Sequence, residues 1–267
     1  MSSRVVHPTS CRAVHRRYRV RSCSYPIAQV LRHRIGRLAT LPLGRPLVIT
    51  IDGPAGSGKS TAAKLLAKRL KLTYLDTGAT YRALAYAARK TMLHPVADAE
   101  SIAHLARKLP ITLRLRENGS LEARLGGVDV SRAIRTEEIT EAAALISQHP
   151  AVRRALVIRQ RELANRHGLV AEGRDTGSVV FPDATHKFFL NADSLVRAKR
   201  RQQELERLYG SRTPLKQVRE QLRFRDGLDR TRRVGPLIKP SGAISIDTTR
   251  LSVHQVVRLM LKHIARS

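Results

Sequence analysis

Tryptophan is absent from this 267-residue sequence, aromatic residues make up only 4% of it, and it contains two cysteines. Both cysteines, Cys11 and Cys23, precede Pro46, so the remaining residues cannot form a disulfide framework or a cysteine metal site. That distribution suits a reducing compartment. Apolar runs of the length that a membrane-spanning helix needs, roughly 20 residues, are also missing, and a membrane role is therefore not expected.

Acidic residues are missing altogether from residues 1–45, which contain ten arginines. Over the whole chain, 50 basic residues face 21 acidic ones, for a formal net charge of +29. Subtracting the ten arginines leaves 40 basic against 21 acidic residues, or +19, for residues 46–267. This excess favours polyanionic partners, nucleotides or nucleic acid, without choosing between them.

Residues 1–45 form a basic extension that is predicted to be disordered. Three interpretations of it are open: a basic arm, an organelle transit peptide, or an upstream start that does not belong to the functional protein. A secretory signal is not expected, because no sufficiently long apolar core follows the first charges. Contact of the extension with nucleic acid remains an alternative that the sequence does not decide.

One segment matches the phosphate-binding pattern G-x-x-x-x-G-K-[ST]: Gly53, Pro54, Ala55, Gly56, Ser57, Gly58, Lys59 and Ser60. An apolar run at 46–51 precedes it, as expected for a buried strand, and apolar residues at helical spacing follow at 61–70. The glycines allow backbone N–H groups to surround a phosphate, and the helix start adds its positive dipole end. We therefore expect ATP to bind along residues 53 to 61, ending at Thr61. Lys59 would reach the β- and γ-phosphates, and Ser60 would ligate Mg²⁺.

Strand and helix patterns alternate along residues 46–267. Further strands are predicted near 73–78, 111–116, 121–125, 169–171, 186–191 and 243–246. Further helices are predicted near 79–90, 97–108, 136–147, 151–165, 195–209, 214–226 and 252–265. Asn118-Gly119 marks a hairpin turn between the strands at 111–116 and 121–125. This alternation predicts an α/β fold with a mainly parallel sheet covered on both faces, and the hairpin is an insertion beside it.

Five further segments follow the phosphate loop in a fixed order. They are LDTGATYR at 75–82, EGRDTGSVVFPD at 172–183, RDGLDRTR at 225–232, GPL at 235–237 and IDTT at 246–249. Together they closely resemble bacterial cytidylate kinases, which are P-loop nucleoside monophosphate kinases that phosphorylate CMP and dCMP with ATP. The resemblance covers residues 46–267, essentially everything except the extension.

The resemblance implies a three-layer P-loop kinase with a central parallel sheet and helices on both faces. It also implies a small inserted region for the monophosphate at about 96–168, carrying the β-hairpin, and a basic lid at about 197–233. Between Arg197 and Arg233, 13 basic residues face 5 acidic ones, which fits a lid that closes over phosphates. The family further implies Mg²⁺, a monomer and a cytoplasmic enzyme, or import into an organelle if the extension is a transit peptide.

Seven side chains fall at family positions that bind the acceptor nucleotide: Arg82, Arg153, Arg174, Asp175, Arg225, Asp229 and Arg232. By resemblance, Arg82 and Arg174 hold the 5′-phosphate, for which the bidentate fork of arginine is well suited. Arg225 and Asp229 hold the pentose. The other three read cytosine, whose edge offers an amino donor and two acceptors.

Three residues are assigned to catalysis: Lys59, Arg174 and the lid residue Arg200, which resembles an arginine that reaches the ATP phosphates. Ordinary alternatives exist for the arginines and carboxylates. A lone arginine on a helix is usually a solvated surface charge, and the spacing of Arg225, Asp229 and Arg232 also suits helix ion pairs.

The sequence departs from the family pattern at several positions. Ala144 lies where the family often has a serine that contacts the base, and Ser147 is one turn later on the same face of the predicted helix. Thr176 replaces a common apolar residue, and Phe224 and Gly242 lie where acidic residues are usual. Glu172 follows the strand at 169–171 and is a candidate for organising Mg²⁺ through water.

Two other functions fit parts of the sequence. A P-loop kinase that acts on UMP or on a nucleoside would share the phosphate loop, although residues 173–177 and 225–232 favour cytidine nucleotides. A nucleic-acid-binding protein on a kinase scaffold would explain the charge. The low aromatic content argues against it, because platforms for single-stranded bases usually stack them on aromatic side chains.

Overall fold

The computed structural model describes residues 46–164, 168–210 and 212–266. Predictions about the extension at 1–45 lie outside the described residues. The strands, in chain order, are β1 Val48–Asp52, β2 Thr73–Asp76, β3 Ile111–Leu115, β4 Leu121–Leu125, β5 Val128–Asp129, β6 Leu169–Gly173, β7 His186–Asn191 and β8 Ile244–Asp247. The helices are α1 Lys59–Leu70, α2 Thr77–Lys90, α3 Ala99–Arg107, α4 Glu137–Ile146, α5 Pro150–Glu162, α6 Ser194–Tyr209, α7 Leu215–Thr231 and α8 Val253–Ile264.

A parallel sheet in the order β2-β6-β1-β7-β8 forms the centre of the fold. Its inner strands are continuous apolar runs because helices cover both faces of the sheet. Ile49, Ile51, Val170 and Phe188 are accordingly shut off from solvent. The order makes β1 and β6 neighbours, so the phosphate loop after β1 and the turn after β6 leave the same edge of the sheet. Ligands bind at this edge in open α/β sheets.

The segment between α2 and β6 carries the predicted hairpin. Strands β3, β4 and β5 form a separate antiparallel sheet, and β3 and β4 are joined by a turn at Asn118 and Gly119. The side chain of Asn118 accepts a hydrogen bond from the backbone N–H of Ser120, and Gly119 has a φ of 79°, as this turn requires. Helices α3 and α5 of the same segment pack against each other, and α3, α4 and α5 all pack against α2.

Helices α6 and α7 form a hairpin between β7 and β8. The side chain of Asp193 caps α6 by accepting from the backbone N–H of Leu195 at 2.8 Å. The two helices share a small apolar cluster of their own: Ala198, Leu205, Val218 and Leu222, together with Ala55 of the phosphate loop. This hairpin therefore packs on the loop directly, apart from the main core.

The main predicted elements are present, but the short strand β5 and the 3₁₀ turn Ala133–Arg135 were not predicted. Helix α7 continues to Thr231 instead of ending near 226, and so it includes Gly227. A glycine inside a helix costs only about 1 kcal/mol, which does not by itself end the helix. The π-helical turn Thr176–Val180 after β6 was not predicted. No helix in the described parts of the chain combines the length and the apolar character that crossing a bilayer requires.

Candidate active site

The phosphate loop follows β1 and ends where Lys59 begins α1. Gly56 and Gly58 have φ values of 74° and 85°, which disfavour any side chain. A Cβ on Gly53 would lie 2.1 Å from the carbonyl oxygen of Leu190, and one on Gly56 would lie 2.7 Å from that of Arg197. The loop is thus held between β7 and α6 in a shape that only glycine allows at these positions.

Lys59 is buried at the start of α1, and its ammonium donates a hydrogen bond to the carbonyl oxygen of Pro54 at 3.1 Å. Burial lowers its pKa to about 7, and the nearby guanidinium of Arg174 contributes in the same direction. The neighbouring Ser60 is exposed to the cleft. A buried cation whose charge is disfavoured in the free protein is suited to receive an anionic group.

A cavity of about 880 Å³ extends from Lys59 and Ser60 to the segment between α2 and β6. All seven side chains predicted to bind the acceptor line it: Arg82, Arg153, Arg174, Asp175, Arg225, Asp229 and Arg232. They come from α2, α5, the end of α7 and the turn after β6, and the fold brings them together in one cavity. Ala144 and Ser147, at the end of α4, line the same cavity.

Arg200 lines a second cavity, of about 490 Å³, beside the phosphate loop. Its guanidinium donates to the side-chain oxygen of Thr248 at 2.9 Å and to the backbone oxygen of Thr248 at 2.6 Å. The hydroxyl of Thr248 donates in turn to the backbone oxygen of Ser57 at 2.9 Å. Arg200 is therefore tied to the phosphate loop, and none of the seven acceptor residues lines this second cavity. Lys59 and Ser60 line both cavities.

One end of the larger cavity is a buried network around Asp175. Its carboxylate forms an ion pair with Arg153 and lies 3.5 Å from the guanidinium of Arg232. Arg153 is 1% exposed, lies over the ring of Tyr81 at 5.5 Å and donates to the backbone oxygen of Ser147 at 3.3 Å. These contacts hold one carboxylate and two guanidinium groups close together and restrict their side-chain rotamers.

Nearer the phosphate loop, two arginines are oriented by carboxylates. Arg174 donates to Asp229 at 2.7 Å, and Asp229 also accepts from Arg232 at 3.1 Å. Arg82 donates to Asp76 at 2.8 Å, and Asp76 caps α2 through the N–H of Ala79. Each guanidinium is thereby fixed while it keeps donors free for a ligand.

Arg225 lacks such a partner: it forms no ion pair or hydrogen bond with any described residue. Burial, Arg174 and Arg201 lower its pKa to about 10, although Asp229 acts in the opposite direction. Positive groups therefore crowd one another at this end of the cavity, and Arg225 has no ion-pair partner among the described residues. Such an excess is stabilised by an anion with several charges.

The comparisons with known proteins agree with this geometry. A family model described as cytidylate kinase matches residues 49–266. The chain belongs to the cytidylate kinase family. It is 44% identical to the cytidylate kinase of Geobacillus sp. (strain WCH70) over 78% of this chain and 92% of that protein. It is 43% identical to the cytidylate kinase of Citrobacter koseri over 81% of this chain and 94% of that protein.

Among solved structures, a shikimate kinase from Acinetobacter baumannii aligns with 87% of this chain and 97% of its own length. The TM-score is 0.41 and the identity 16%. The α/β kinase fold follows from the sheet order and the family match.

Two acidic side chains, Asp76 and Glu172, lie beside the phosphate loop of this cytidylate kinase family member. Burial and the charge of Asp76 raise the pKa of Glu172, although hydrogen bonds from Ser60 and Tyr74 oppose that shift. Burial acts to raise the pKa of Asp76 as well, but Arg82 and Arg135 hold it below its usual value. A pair of carboxylates at the floor of a cleft, next to an exposed serine, is a donor set with affinity for a hard cation.

Sequence reasoning missed several residues that line the site. Arg135 and Arg201 line both cavities, and Tyr81 packs on Arg153. Thr77, at the start of α2, donates to the backbone oxygen of Glu172 at 2.8 Å. The arginines lie outside the quoted motifs, in stretches where arginine is too common to be singled out. Tyr81 and Thr77 lie inside the motif at 75–82, so that motif was the available signal.

Proposed function

We propose that this protein transfers the γ-phosphoryl group of ATP to the 5′-phosphate of CMP and dCMP, which yields CDP and dCDP. The observation that carries the proposal is the convergence of five acceptor-side arginines on one cavity beside a complete phosphate loop, where Arg225 forms no ion pair with a described residue. Two polyanions repel each other, and an enzyme that joins them needs this excess of positive charge between them.

In this proposal, ATP lies along residues 53–61 with Lys59 at its β- and γ-phosphates. Arg200, which Thr248 ties to the loop, contacts the donor phosphates from the second cavity. Arg82 and Arg174 bind the 5′-phosphate of the acceptor, because both are oriented by carboxylates and retain free donors. Arg225 and Asp229 hold the pentose between the two ends of the cavity.

The base would be read by Arg153, Asp175 and Arg232. In the free protein Asp175 pairs with both guanidinium groups, while Nε of Arg153 and Nη2 of Arg232 have no hydrogen-bond partner, so donors remain for the acceptors of a cytosine edge. Ala144 supplies no hydroxyl at this end, and the hydroxyl of Ser147 already donates to the backbone oxygen of Ala144 at 2.7 Å. Cytosine recognition would therefore rest on the charged network rather than on serine.

Mg²⁺ fits the residues that are present. No cluster of three or more His, Cys, Asp or Glu side chains suited to a metal occurs in the described residues, so a closed protein cage is not available. Nucleotide-bound Mg²⁺ needs only one or two protein ligands, since phosphates and water supply the others. Ser60 would hold it directly and Glu172, with Asp76 beside it, through water. The ion would neutralise charge on the transferred phosphoryl group.

No general base with a special environment is needed for this reaction. Phosphoryl transfer depends mainly on alignment of the two phosphates and on compensation of their charge. Lys59, Arg174 and Arg200 would supply that compensation from three directions. Closure over the site would exclude water, which otherwise competes with CMP for the phosphoryl group.

The segment at about 96–168 would form the acceptor side of the cleft, and residues 197–233 would act as a lid. The described parts of the chain lack a membrane-spanning helix, and residues 46–267 lack cysteine. By family membership we extend the proposal to a monomer in the cytoplasm, or in an organelle if residues 1–45 direct import.

The test is ADP formation by the full chain with ATP and Mg²⁺, with CMP, dCMP, UMP and AMP offered separately. We expect turnover with CMP and dCMP and at least 100-fold lower kcat/KM with AMP. Equal turnover with UMP would keep the kinase but reject cytosine reading by Arg153, Asp175 and Arg232. Absence of turnover with every acceptor would reject the proposal.

Two variants assign the donor and acceptor sides. Lys59→Met should abolish turnover, because the phosphate loop loses its only buried ammonium. Arg174→Ala should raise the KM for CMP and lower kcat while ATP affinity changes little. An equal loss of affinity for both nucleotides would contradict the placement of Arg174 on the acceptor side.

A further inference from the structure

Asp52 is a buried carboxylate that the proposed chemistry does not use. It is the last residue of β1, directly before Gly53 of the phosphate loop, and it has no exposed surface. No described lysine, arginine or histidine forms an ion pair with it. Burial raises its pKa, and the nearby charge of Asp175 acts in the same direction. A charge in this position has a large desolvation cost unless other groups compensate it.

Hydrogen bonds from the turn after β6 provide that compensation. One oxygen of Asp52 accepts from the backbone N–H of Thr176 at 2.8 Å and from its hydroxyl at 2.7 Å. The other oxygen accepts from the backbone N–H of Gly177 at 2.8 Å. Asp52 therefore clamps the first turn of the π-helical segment through three donors.

The clamped turn has little room to shift. A Cβ on Gly173 would lie 2.3 Å from the side-chain oxygen of Thr77 and 2.7 Å from a methyl carbon of Thr176. A Cβ on Gly177 would lie 2.7 Å from the side-chain oxygen of Thr50. Between these two glycines lie Arg174 and Asp175, the residues placed at the acceptor phosphate and at the base.

We infer that Asp52 and Thr176 are positioning residues that fix the spacing between the donor phosphate loop and the acceptor-binding pair Arg174 and Asp175. The inference rests on the proposed function. The carboxylate of Asp52 joins β1, which ends at the phosphate loop, to the turn that carries Arg174 and Asp175. The distance between the two substrate-binding segments is thereby fixed. The hydroxyl of Thr176 donates one of the three hydrogen bonds to Asp52. The apolar residue that is common at this position in the family could not donate it.

The test is Thr176→Val, which keeps the shape and the backbone N–H but removes the hydroxyl. We expect kcat to fall roughly tenfold and the KM for CMP to rise, while the KM for ATP stays within about twofold, because small misplacements of reacting groups cost up to 10²-fold. Thr176→Ser should restore both values. Asp52→Asn should have a larger effect, because its NH₂ group would face the N–H or hydroxyl donors of Thr176 and Gly177 that now bond to a carboxylate oxygen.

The matched control is Thr50→Val, on β1, the strand that carries Asp52. Thr50 is equally buried, and its hydroxyl has no hydrogen-bond partner. Thr50→Val should leave kcat unchanged. Thermal melting is followed for every variant, and kinetics are measured well below the lowest Tm. A positioning role lowers kcat at such temperatures, whereas a merely structural role lowers the Tm alone.

The inference is overturned if Thr176→Val matches Thr50→Val in kcat, or if its only defect is a lower Tm. It is also overturned if Thr176→Ser fails to restore kcat. Failure of the proposed function is distinguishable, because the unaltered chain would then show no transfer to CMP at all.

Discussion

Neither Lys59 nor Arg225 forms an ion pair with a described residue, and burial shifts the pKa of both. Burial lowers the pKa of Lys59 to about 7, and burial with Arg174 and Arg201 lowers that of Arg225 to about 10. The unfolded chain, in which Lys59 titrates near 10.5, therefore holds more protons than the folded chain between pH 7 and 10.5. In the free protein, the contribution of Lys59 to stability rises with pH in that window.

Nucleotide binding should reverse this preference, because phosphates favour the ammonium form of Lys59. We expect the affinity for ADP without Mg²⁺ to fall by up to about tenfold per pH unit between pH 7.5 and 9, with uptake of close to one proton. Titration calorimetry in two buffers of different ionisation enthalpy measures both quantities. Lys59→Arg, which stays charged, is the control. Proton uptake that persists in this variant would contradict the assignment to Lys59.

Arg225 and Arg153 should respond to substitution in opposite ways. Arg225→Gln removes an unpaired cation, so the free energy of unfolding should stay within about 1 kcal/mol of the original or increase, while kcat/KM for CMP falls at least 100-fold. Arg153→Gln leaves Asp175 partly unpaired in a buried network and should destabilise the fold by about 3 to 5 kcal/mol. Urea denaturation and steady-state kinetics measure the two effects.

Arg223→Gln, on the exposed face of the same helix as Arg225, is the control and should change neither quantity. A loss of stability in Arg225→Gln as large as that in Arg153→Gln would show that Arg225 has a structural partner. Arg225 would then be placed by that structural contact and not by a role in binding the acceptor.

At the scale of elements, the helical hairpin α6–α7 contacts both sides of the cleft. Arg197 of α6 donates to the backbone oxygen of Ala55 in the phosphate loop at 3.1 Å. At its other end, the hydroxyl of Tyr209 donates to the backbone oxygen of Arg135 at 2.6 Å, next to the start of α4. The hairpin therefore bridges the donor side and the acceptor side in this arrangement.

Tyr209→Phe removes the second of these contacts alone. Because closure excludes water, we expect ATP hydrolysis in the absence of acceptor to rise about two- to fivefold, with little change in Tm for a partly exposed hydroxyl. Release of inorganic phosphate is the measurement. Tyr86→Phe on α2 is the control. Unchanged hydrolysis in Tyr209→Phe would mean that this hydrogen bond does not help to close the site.

The elements themselves were largely predictable from the sequence, since apolar periodicity and turn residues act locally. The phosphate loop and the Asn118-Gly119 hairpin are examples. The extent of α7 was not predictable, because Gly227 weakens the helix locally, whereas the ion pairs on either side of it, Asp226 with Arg197 and Asp229 with Arg174, join segments distant in sequence. The π-helical turn after β6 was missed because Asp52, 124 residues away from Thr176 in sequence, holds it.

The candidate site was predictable as a set of residues but not as a network. Family motifs pointed to seven of the residues that line the larger cavity. The pairing of Arg153 with Asp175, the tether of Arg200 to Thr248 and the isolation of Arg225 depend on packing between distant segments. No spacing rule in the sequence contains that information.

At the scale of the whole molecule, the net charge divides between residues 1–45 and the kinase region. The family match begins at residue 49, so removal of residues 1–45 should leave kcat/KM for CMP within about twofold. If the extension binds nucleic acid, RNA binding should disappear with it and fall steeply with salt in the full chain. Filter binding at two salt concentrations measures this. RNA binding retained after the deletion would place a nucleic-acid surface on the kinase region itself.

The measurement that tests the account most directly follows the γ-phosphoryl group of labelled ATP in the presence of CMP. Direct transfer across the cluster of guanidinium groups predicts that the label appears in the β-phosphate of CDP, with little in inorganic phosphate. The label should remain in ATP when Lys59→Met is used. Label that appears mainly in inorganic phosphate, or in UDP as readily as in CDP when both acceptors compete, would contradict the account of the site.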